Sequence, residues 1–528
     1  MTRGRTGTRH IPLASAALAA ALFFCAPRLW AQEVTLTTPG QSLQLRGHVL
    51  GFDGQNLRLQ TDYGELTLRY DGVTCDGTDC PDPASYVPSL RFSGADRIAT
   101  LILPALIEGF ARDQGYALER PTAPEGWIAL ALRAGDGRIV AEFHLAPGST
   151  ETGLADLVAG RADIALAARA LTRPELDRAR AAGLGRLDGP GRVRVLAYDA
   201  YVPVAAPGQP VAAIGLADLA LVLTGRVDNW VALGGADRPI NLYLADDGLG
   251  QTDGLIAALL APDGGAARAD IRHGLDGSQT AAAIAADPDG LGLLPFDSFG
   301  ETQPLALRDS CGIRAVPRPA TVKTGDYPLT APLYLYLPMR RLPAAGRGFM
   351  AWLATSQAQL ILRRAGVLGA DPVPIPLDQQ GERLAAAIAA AGPEVPLAEL
   401  QRMIRRLSPM VRLSPTFRFE DGSTRLEPAS RSGVLQLAQG LRDGRYGGQT
   451  LFLIGFSDGR GPAEANRDLA AARADAVRRQ VLAALGGGLP PGATLEVDAF
   501  GEALPIGCDD TPWGLRMNRR VELWVSDG

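Results

Sequence analysis

Residues 455–477 read GFSDGRGPAEANRDLAAARADAV, a glycine-rich loop followed by an alanine-rich helical stretch. Pro462 suits the first turn of a helix, because the N–H group that proline lacks would have no partner there. Asn466 and Arg473 are seven residues apart, so a helix places them on nearly the same face. Asp458 lies on the loop that leads into this helix. Its carboxylate is therefore predicted to approach the face that carries Arg473.

The surrounding residues 414–528 alternate strands and helices, which predicts an α/β domain. Within the long helix Leu469, Ala472 and Ala476 recur at spacings of three and four, and they are predicted to pack against the sheet. Strands are predicted at 416–419, 450–455, 494–500 and 519–525, with another helix at 430–442.

The motifs of this domain resemble those of the OmpA-like peptidoglycan-binding domain. GFSDGRG stands where that family has a Gly-His-Thr-Asp loop, NRDLAAARADAV where it has Asn-x-x-Leu-Ser-x-x-Arg-Ala-x-x-Val, and FGEALPI and NRRVEL follow in the family's order. Phe456, Ser457 and Ala470 depart from the pattern, whereas the acid and the arginine are kept. The resemblance implies that Asp458 and Arg473 bind the free amino acid end of diaminopimelate in the peptide stem of peptidoglycan.

The chemistry of that ligand agrees with the two residue types. Its free end carries an ammonium and a carboxylate side by side, so a site needs one fixed anion and one fork-shaped cation. Asn466 either adds a hydrogen bond to the ligand or holds the loop, and both roles remain open. Arg519 is predicted to line the site. Because side chains alternate along a strand, only one of Arg519 and Arg520 can face it.

Residues 89–368 alternate short apolar strands with helices, which predicts an α/β domain with a largely parallel sheet. Its motifs resemble those of the phosphate-binding family of periplasmic solute-binding proteins, whose two lobes close on a ligand. The similar stretches are GSTETGLADLVAGRADIALAARALTRPEL (148–176), LADLALVLTGRVDNWVALGG (216–235), DPDGLGLLPF (287–296) and YPLTAPLYLYL (327–337). The resemblance implies a cleft for an anionic solute, used in transporter-type uptake or in sensing.

That family binds anions with backbone N–H groups at helix N-termini and with Ser, Thr and Arg side chains. Ser149, Thr150 and Arg169 match its expected anion-binding positions. Two loops depart from it. Arg97 ends a Gly-Ala-Asp-Arg loop where the family has Gly-Ser-Asp-Thr, and Gln251 ends an altered second loop. Two lost hydroxyl donors, at about 1.5–3 kcal/mol each, weaken phosphate binding by about 10² to 10⁴. A different or larger anion, and a degenerate cleft that contacts an envelope protein partner, remain alternatives.

Other segments complete the domain plan. Residues 1–31 are predicted to be a signal peptide, with arginines before an uncharged run and a small residue at its end. Residues 32–88 alternate in the manner of strands and are predicted to form a small β domain. In it, Cys75 and Cys80 of CDGTDC are predicted to form a disulfide. A zinc site is the competing interpretation, but no second cysteine pair or nearby histidine completes one. Residues 369–413 are predicted to be a proline-containing linker with two helices. Whether Cys311 and Cys508 pair remains open.

Composition excludes several function classes. The net charge of −5 gives no basic surface for nucleic acid. The four histidines are not at catalytic or metal-ligand spacings, so we predict no catalytic residue, metal or cofactor and a protein that is not an enzyme. The sequence thus predicts an exported, periplasmic, wall-associated protein that binds peptidoglycan and presents a solute-binding domain. The alternative is a structural envelope tether with a degenerate cleft.

Overall fold

The structure, a computed structural model, describes residues 33–38, 43–245, 255–256, 259–260, 265–274, 276–392, 394–420 and 423–527. The predicted signal peptide and Gln251 lie outside these residues. The chain divides into two compact units, residues 1–86 and 87–528. Among the described residues, the search for a helix long and apolar enough to cross a membrane finds none.

The first unit is a five-stranded antiparallel sheet in the order β4-β3-β2-β1-β5. Its strands are β1 (Glu33–Thr37), β2 (Gln44–Phe52), β3 (Asn56–Thr61), β4 (Gly64–Arg69) and β5 (Thr74–Asp76). Alternate residues of β1 and β3 are buried and form its small core. Cys75 and Cys80 are joined by a disulfide with their Cα atoms 5.8 Å apart, as the sequence predicted.

The second unit begins with the two-lobed region, whose main sheet has the order β14-β13-β15-β11-β19-β10-β6-β9-β8-β7. The strands are β6 (Ser89–Ala95), β7 (Ala117–Glu119), β8 (Ile128–Arg133), β9 (Ile139–Gly148), β10 (Ile164–Ala167), β11 (Val193–Ala205), β12 (Ala213–Gly215), β13 (Asn241–Ala245), β14 (Arg272–Gly274), β15 (Gly290–Pro295), β16 (Gln303–Pro304), β17 (Ala306–Arg308), β18 (Arg314–Ala315), β19 (Thr330–Tyr336) and β20 (Leu368–Gly369). The helices are α1 (Leu103–Asp113), α2 (Thr150–Val158), α3 (Arg173–Ala181), α4 (Leu216–Leu223), α5 (Gly277–Ala286), α6 (Pro319–Lys323), α7 (Ala344–Trp352) and α8 (Ser356–Arg364).

Lobe 1 comprises β6–β10, β20, α1–α3, α7 and α8, and lobe 2 comprises β12–β18 and α4–α6. Each lobe has its own core. The larger core of lobe 1 lies under β6, β8, β9 and α1 and includes Phe92, Phe143 and Phe349. The main core of lobe 2 lies between β13, β15 and α4 and includes Trp230 and Tyr327. The strands β11 and β19 run antiparallel to each other between the lobes. The two-lobed α/β fold is therefore confirmed, although the sheet is mixed and not largely parallel, because the chain leaves lobe 1 along β11 and returns along β19.

The C-terminal region is a five-stranded sheet with helices on both faces. Its strands, in the order β21-β22-β25-β23-β24, are β21 (Pro374–Ile375), β22 (Val411–Arg418), β23 (Gln449–Gly455), β24 (Thr494–Ala499) and β25 (Arg520–Asp527). Its helices are α9 (Gly381–Ala390), α10 (Leu397–Leu407), α11 (Pro428–Arg442), α12 (Ala463–Leu485) and α13 (Pro512–Asn518). One core lies between the sheet and the pair α11 and α12. Another core lies between the opposite face and α9 and α10, so the segment predicted as a linker packs on this domain.

The buried face of α12 differs from the predicted one. Leu469 is exposed, whereas Ala470, Ala474, Val477 and Val481 are buried against the sheet. An alanine-rich helix offers more than one stripe of small residues at helical spacing, so the pattern alone does not identify the packed face. The strand β23 comes so close to this helix that a Cβ atom on Gly455 would lie 2.1 Å from the carbonyl oxygen of Ala470.

Candidate functional site

Asp458 lies on the loop between β23 and α12 and is held from two sides. Its Oδ1 accepts a hydrogen bond of 3.1 Å from the backbone N–H of Arg460. Its Oδ2 accepts a hydrogen bond of 2.6 Å from Nε of Arg519, which follows α13. The two side chains are 14% and 22% exposed, so the pair is fixed but still reachable from solvent. The carboxylate of Asp458 is therefore preorganised by Arg519 and not by Arg473.

Arg473 lies near this pair without forming an ion pair in the described part of the chain. Its guanidinium lies over the ring of Phe419, 5.8 Å from the centroid. Its Nη1 is buried and has no hydrogen-bond partner among the described residues. Burial lowers the pKa of Arg473, Asp458 opposes this change, and Arg519 adds to it. A buried cationic N–H without a partner is costly, and an anionic ligand would remove that cost.

Asn466 is on the same helix face but contacts the protein itself. Its side-chain amide donates to Oε2 of Glu502 at 2.7 Å and to the carbonyl oxygen of Gly461 at 3.4 Å. The side chain is buried. Of the two roles left open by the sequence, the geometry supports holding the loop, because these two contacts use the donors of its amide group.

Arg520 points away from the candidate site, in agreement with the expected alternation. Its guanidinium is fully buried, donates to Oε1 of Glu522 at 2.6 Å and lies 4.3 Å from the ring centroid of Phe456. Phe456 thus contributes to the core at the position where the family has His. Only Arg519 of the two arginines reaches the loop with Asp458.

A segment that the sequence analysis did not identify supports this loop. The Oδ2 atom of Asp509 accepts a hydrogen bond of 2.6 Å from the N–H of Gly459, next to Asp458. Its Oδ1 accepts from the side-chain amide of Asn518 at 2.8 Å. Cys508 precedes Asp509 and forms a disulfide with Cys311 of lobe 2. No local motif marks Asp509, because its contacts come from distant parts of the chain.

The candidate anion-binding residues of the two-lobed region contact other protein groups. Oγ of Ser149 caps α2 by accepting from the N–H of Thr152 at 3.2 Å. Oγ1 of Thr150 accepts from the N–H of Ala168 at 3.1 Å, and this side chain is buried. Thr150 therefore joins α2 to the end of β10.

Arg169 is bound by two carboxylates of its own lobe. It donates to both oxygens of Glu175 at 2.9 Å and also to Oε1 of Glu151. The hydrogen bonds to Glu175, followed by those to Glu151, raise the pKa of Arg169. Burial tends to raise the pKa of Glu151, but hydrogen bonds from Arg169, its own N–H and Ser149 lower it. The Glu151 carboxylate thus lies among the groups that were predicted to hold a captured anion.

Arg97 is likewise neutralised within the protein. Its Nη1 donates to Asp199 at 2.8 Å and its Nη2 to Asp297 at 2.9 Å. Burial tends to lower the pKa of Arg97, and the two carboxylates raise it. Burial raises the pKa of Asp199 to about 6, although Arg97 opposes this shift. The geometry therefore brings Arg97 to two carboxylates instead of leaving it free for an anion. Gln251, the other candidate of the altered loops, is outside the described residues.

The arrangement does not resemble a metal centre. Within the described ranges, no group of three or more His, Cys, Asp or Glu side chains is placed to hold a metal ion. The chemistry available at the C-terminal site is the binding of a carboxylate by Arg473 and of a cation by Asp458.

Two family matches cover most of the second unit. Residues 83–357 match the PBP superfamily domain, and residues 418–519 match the OmpA family. The first match extends over both lobes and the second over the candidate site at Asp458.

Individual relatives match one part of the chain each. The peptidoglycan-associated lipoprotein of Pseudomonas aeruginosa is 36% identical over 115 residues, which are 21% of this chain and 63% of the lipoprotein. The same-named protein of Pseudomonas putida is also 36% identical over 115 residues, 21% of this chain and 64% of that protein. The chain thus spans less than two thirds of the length of these relatives. An ABC-type phosphate transport receptor from Vibrio cholerae is 16% identical, with a TM-score of 0.41, over 53% of this chain and 99% of that chain.

Proposed function

The chain belongs to the PBP superfamily and carries a C-terminal OmpA domain, and on this premise we propose that it is a periplasmic protein that binds peptidoglycan. Both domains are of binding types. The OmpA domain provides the wall contact, as the names of its lipoprotein relatives suggest. The two-lobed domain is the part that is presented at the wall.

One observation carries the proposal for the wall contact. Among the described residues, the buried Nη1 of Arg473 has no hydrogen-bond partner, and it lies beside a preorganised acid, Asp458. A free amino acid end has a carboxylate for the arginine and an ammonium for the acid, at the short separation that such a site requires. The free end of diaminopimelate in the peptide stem has this chemistry.

Each site residue has a separate proposed role. Arg473 binds the ligand carboxylate through its fork of N–H groups, and Asp458 accepts hydrogen bonds from the ammonium. Arg519 orients Asp458 and lines the site. Asn466 positions the loop through Glu502. A single site of this kind binds weakly, but the wall repeats the ligand densely, so that rebinding retains the protein there.

For the two-lobed domain we favour a scaffold or tether role over high-affinity capture of phosphate. A free anion would compete with Glu151 for Ser149 and Arg169. It would also compete with Asp199 and Asp297 for Arg97. An anion bound next to these carboxylates would lose part of its hydration, and it would also be repelled by their like charge. Uptake or sensing of phosphate or a related anion is the second candidate, supported by membership of the superfamily.

The wall contact is tested by titrating a soluble muropeptide that contains diaminopimelate into the full chain and measuring heat. We expect Asp458→Ala and Arg473→Ala each to remove measurable binding. Arg478→Ala is the matched control, since Arg478 lies on the same helix and pairs on the surface with Asp475. Unchanged affinity in both site variants would refute the assignment. A muropeptide with lysine in place of diaminopimelate lacks the free amino acid end and should not bind.

The cleft and the location have their own tests. If the tether role is correct, inorganic phosphate and sulfate leave the melting temperature of the wild-type chain unchanged, whereas a bound anion would raise it. Fractionation of cells that express the protein should recover it in the periplasmic and peptidoglycan fractions. Recovery from the cytoplasm would contradict the export proposal.

A further inference from the structure

The C-terminal domain contacts both lobes of the superfamily domain. Its contacts with lobe 1 are made at the entry to β11. The N–H of Val195 donates to Oγ of Ser432 at 2.8 Å, in a buried position. Nη1 of Arg425 donates to Asp188 at 3.2 Å, and the Asp188 side chain is 3% exposed. Ala429 packs against a second apolar cluster of lobe 1 that includes β10 and α2. Helix α11 is thus seated on lobe 1.

The contacts with lobe 2 lie at a different part of the C-terminal domain. Cys508 forms its disulfide with Cys311, which lies between β17 and β18. The N–H of Cys508 also donates to Oδ2 of Asp309 at 2.7 Å. Ser310 donates a further hydrogen bond to Asp510. One covalent bond and two hydrogen bonds therefore join the segment before α13 to lobe 2.

A buried charge cluster makes a third connection. Asp326 of lobe 2 accepts hydrogen bonds from Arg412 at 2.7 Å and from Arg418 at 2.8 Å, both on β22. Arg418 also donates to the carbonyl oxygen of Thr324 at 2.9 Å. Burial tends to raise the pKa of Asp326, but Arg412 and Arg418 lower it well below its usual range. Separating the domains would break both ion pairs of Asp326 and the hydrogen bond to Thr324, whereas Arg412 would keep its ion pair with Glu522.

The two lobes are also bridged directly. Arg97 of lobe 1 reaches Asp297, which follows β15 of lobe 2. Lys323 at the end of α6 donates to Asp371, beyond the last strand of lobe 1, at 2.7 Å. Closure of a two-lobed protein requires the lobes to rotate about the crossing strands. These ion pairs between the lobes, together with the contacts of the C-terminal domain with both lobes, oppose such a rotation.

We infer that the C-terminal domain is a clamp that fixes the angle between the lobes, so that the superfamily domain is a rigid scaffold and not a closing receptor. The connection on α11 is attached to lobe 1, and the connections on β22 and at Cys508 are attached to lobe 2. A rotation of one lobe must break at least one set of them. The inference goes beyond peptidoglycan binding and does not depend on it. It also implies that a force applied at the wall site is passed to both lobes together.

The test is a distance measurement in the full chain. Spin labels are placed on keto side chains introduced at positions 136 and 236, so that the native cysteines stay paired. Asp136 is exposed on the turn between β8 and β9 of lobe 1, and Ala236 is exposed on lobe 2. We expect one narrow distance distribution that shifts by less than about 2 Å with millimolar inorganic phosphate, below the size of a domain rearrangement. A bimodal distribution, or a larger shift with phosphate, would overturn the inference.

A second arm tests whether the clamp is the cause. Reduction of the Cys311–Cys508 disulfide combined with Asp326→Asn weakens the connections at Cys508 and on β22, and the distribution of distances between the two labels is expected to broaden. An unchanged narrow distribution would overturn the clamp as the cause of rigidity. If Asp326→Asn fails to fold, Ser432→Ala with reduction replaces it, and hydrogen exchange of β11 and β19 should then increase relative to the oxidised wild type. Unchanged exchange would count against the clamp in the same way.

Discussion

Replacement of Arg473 by methionine separates a ligand-binding arginine from a structural one. A structural arginine stabilises the fold through its partners, so its removal destabilises the protein. Arg473 has no ion pair in the described structure, and its Nη1 is buried without a partner. Methionine keeps an unbranched apolar stem that can pack against the ring of Phe419. Arg473→Met should therefore remove the ligand contact while leaving the fold intact.

The expected magnitudes follow from the contacts. A bidentate carboxylate contact contains two charge-assisted hydrogen bonds of about 1.5–3 kcal/mol each, so its loss weakens binding by about 10² to 10⁴. An unsatisfied buried polar group costs about 1–3 kcal/mol, and the substitution removes that cost. The contact with Phe419 offsets part of this gain, since a cation near an aromatic ring contributes about 0.5–1 kcal/mol or more. The free energy of unfolding should then stay the same or rise by about 1 kcal/mol.

Two assays on the same samples distinguish a ligand-binding role of Arg473 from a structural one. Calorimetric titration with the diaminopimelate muropeptide gives the affinity, and urea unfolding gives the stability. Arg473→Lys keeps the charge without the fork and should show intermediate binding. Arg478→Met, on the same helix, is the control for substitution of a surface arginine. Loss of more than about 2 kcal/mol of stability with unchanged affinity would refute the reasoning, because such values mark the loss of native contacts.

Three further predictions concern other parts of the second unit. Glu151→Ala removes the internal carboxylate and should give the chain a phosphate-dependent rise in melting temperature that the wild type lacks; a variant that is equally insensitive to phosphate would contradict the idea that Glu151 occupies the anion-binding groups of this loop. Cys508→Ser opens a loop closed across a sequence separation of 197 residues and should lower the free energy of unfolding by up to about 5 kcal/mol, measured with urea. An unchanged value would mean that Cys311 and Cys508 do not pair in the folded protein. Asp199 has a folded pKa of about 6, above its unfolded value of 3.8, so its contribution to stability is present at low pH and is lost as pH rises through 6. Asp199→Asn should abolish this part of the pH profile, and an identical profile in the variant would contradict it.

The local elements of the C-terminal domain were predictable because their signals are local. The helix predicted at 430–442 begins at Pro428, and the strand predicted at 450–455 begins at Gln449. The predicted strand at 416–419 is instead β22, which begins at Val411 because its first residues pair with β25. Boundaries of this kind depend on partners that are distant in sequence.

The candidate site was predictable in its residue types and only partly in its contacts. The seven-residue spacing placed Asn466 and Arg473 on one helix face, as the helix requires. The partner of Asp458 proved to be Arg519, and the support from Asp509 was not foreseen. Both contacts join segments that are far apart in the chain, and no periodicity encodes them.

The sequence by itself determined the two domain families, the acid and the arginine of the proposed wall site, and the disulfide in CDGTDC, because each depends on motifs or short spacings. Only the tertiary structure decided which charged side chains pair with each other. Packing brings Glu151 and Glu175 to Arg169, and Asp199 and Asp297 to Arg97. Arg473, in contrast, has one donor that finds no partner in the part of the chain that the structure describes. A buried charge is stabilised by whichever opposite charge the fold places beside it, and this placement is a property of the whole fold.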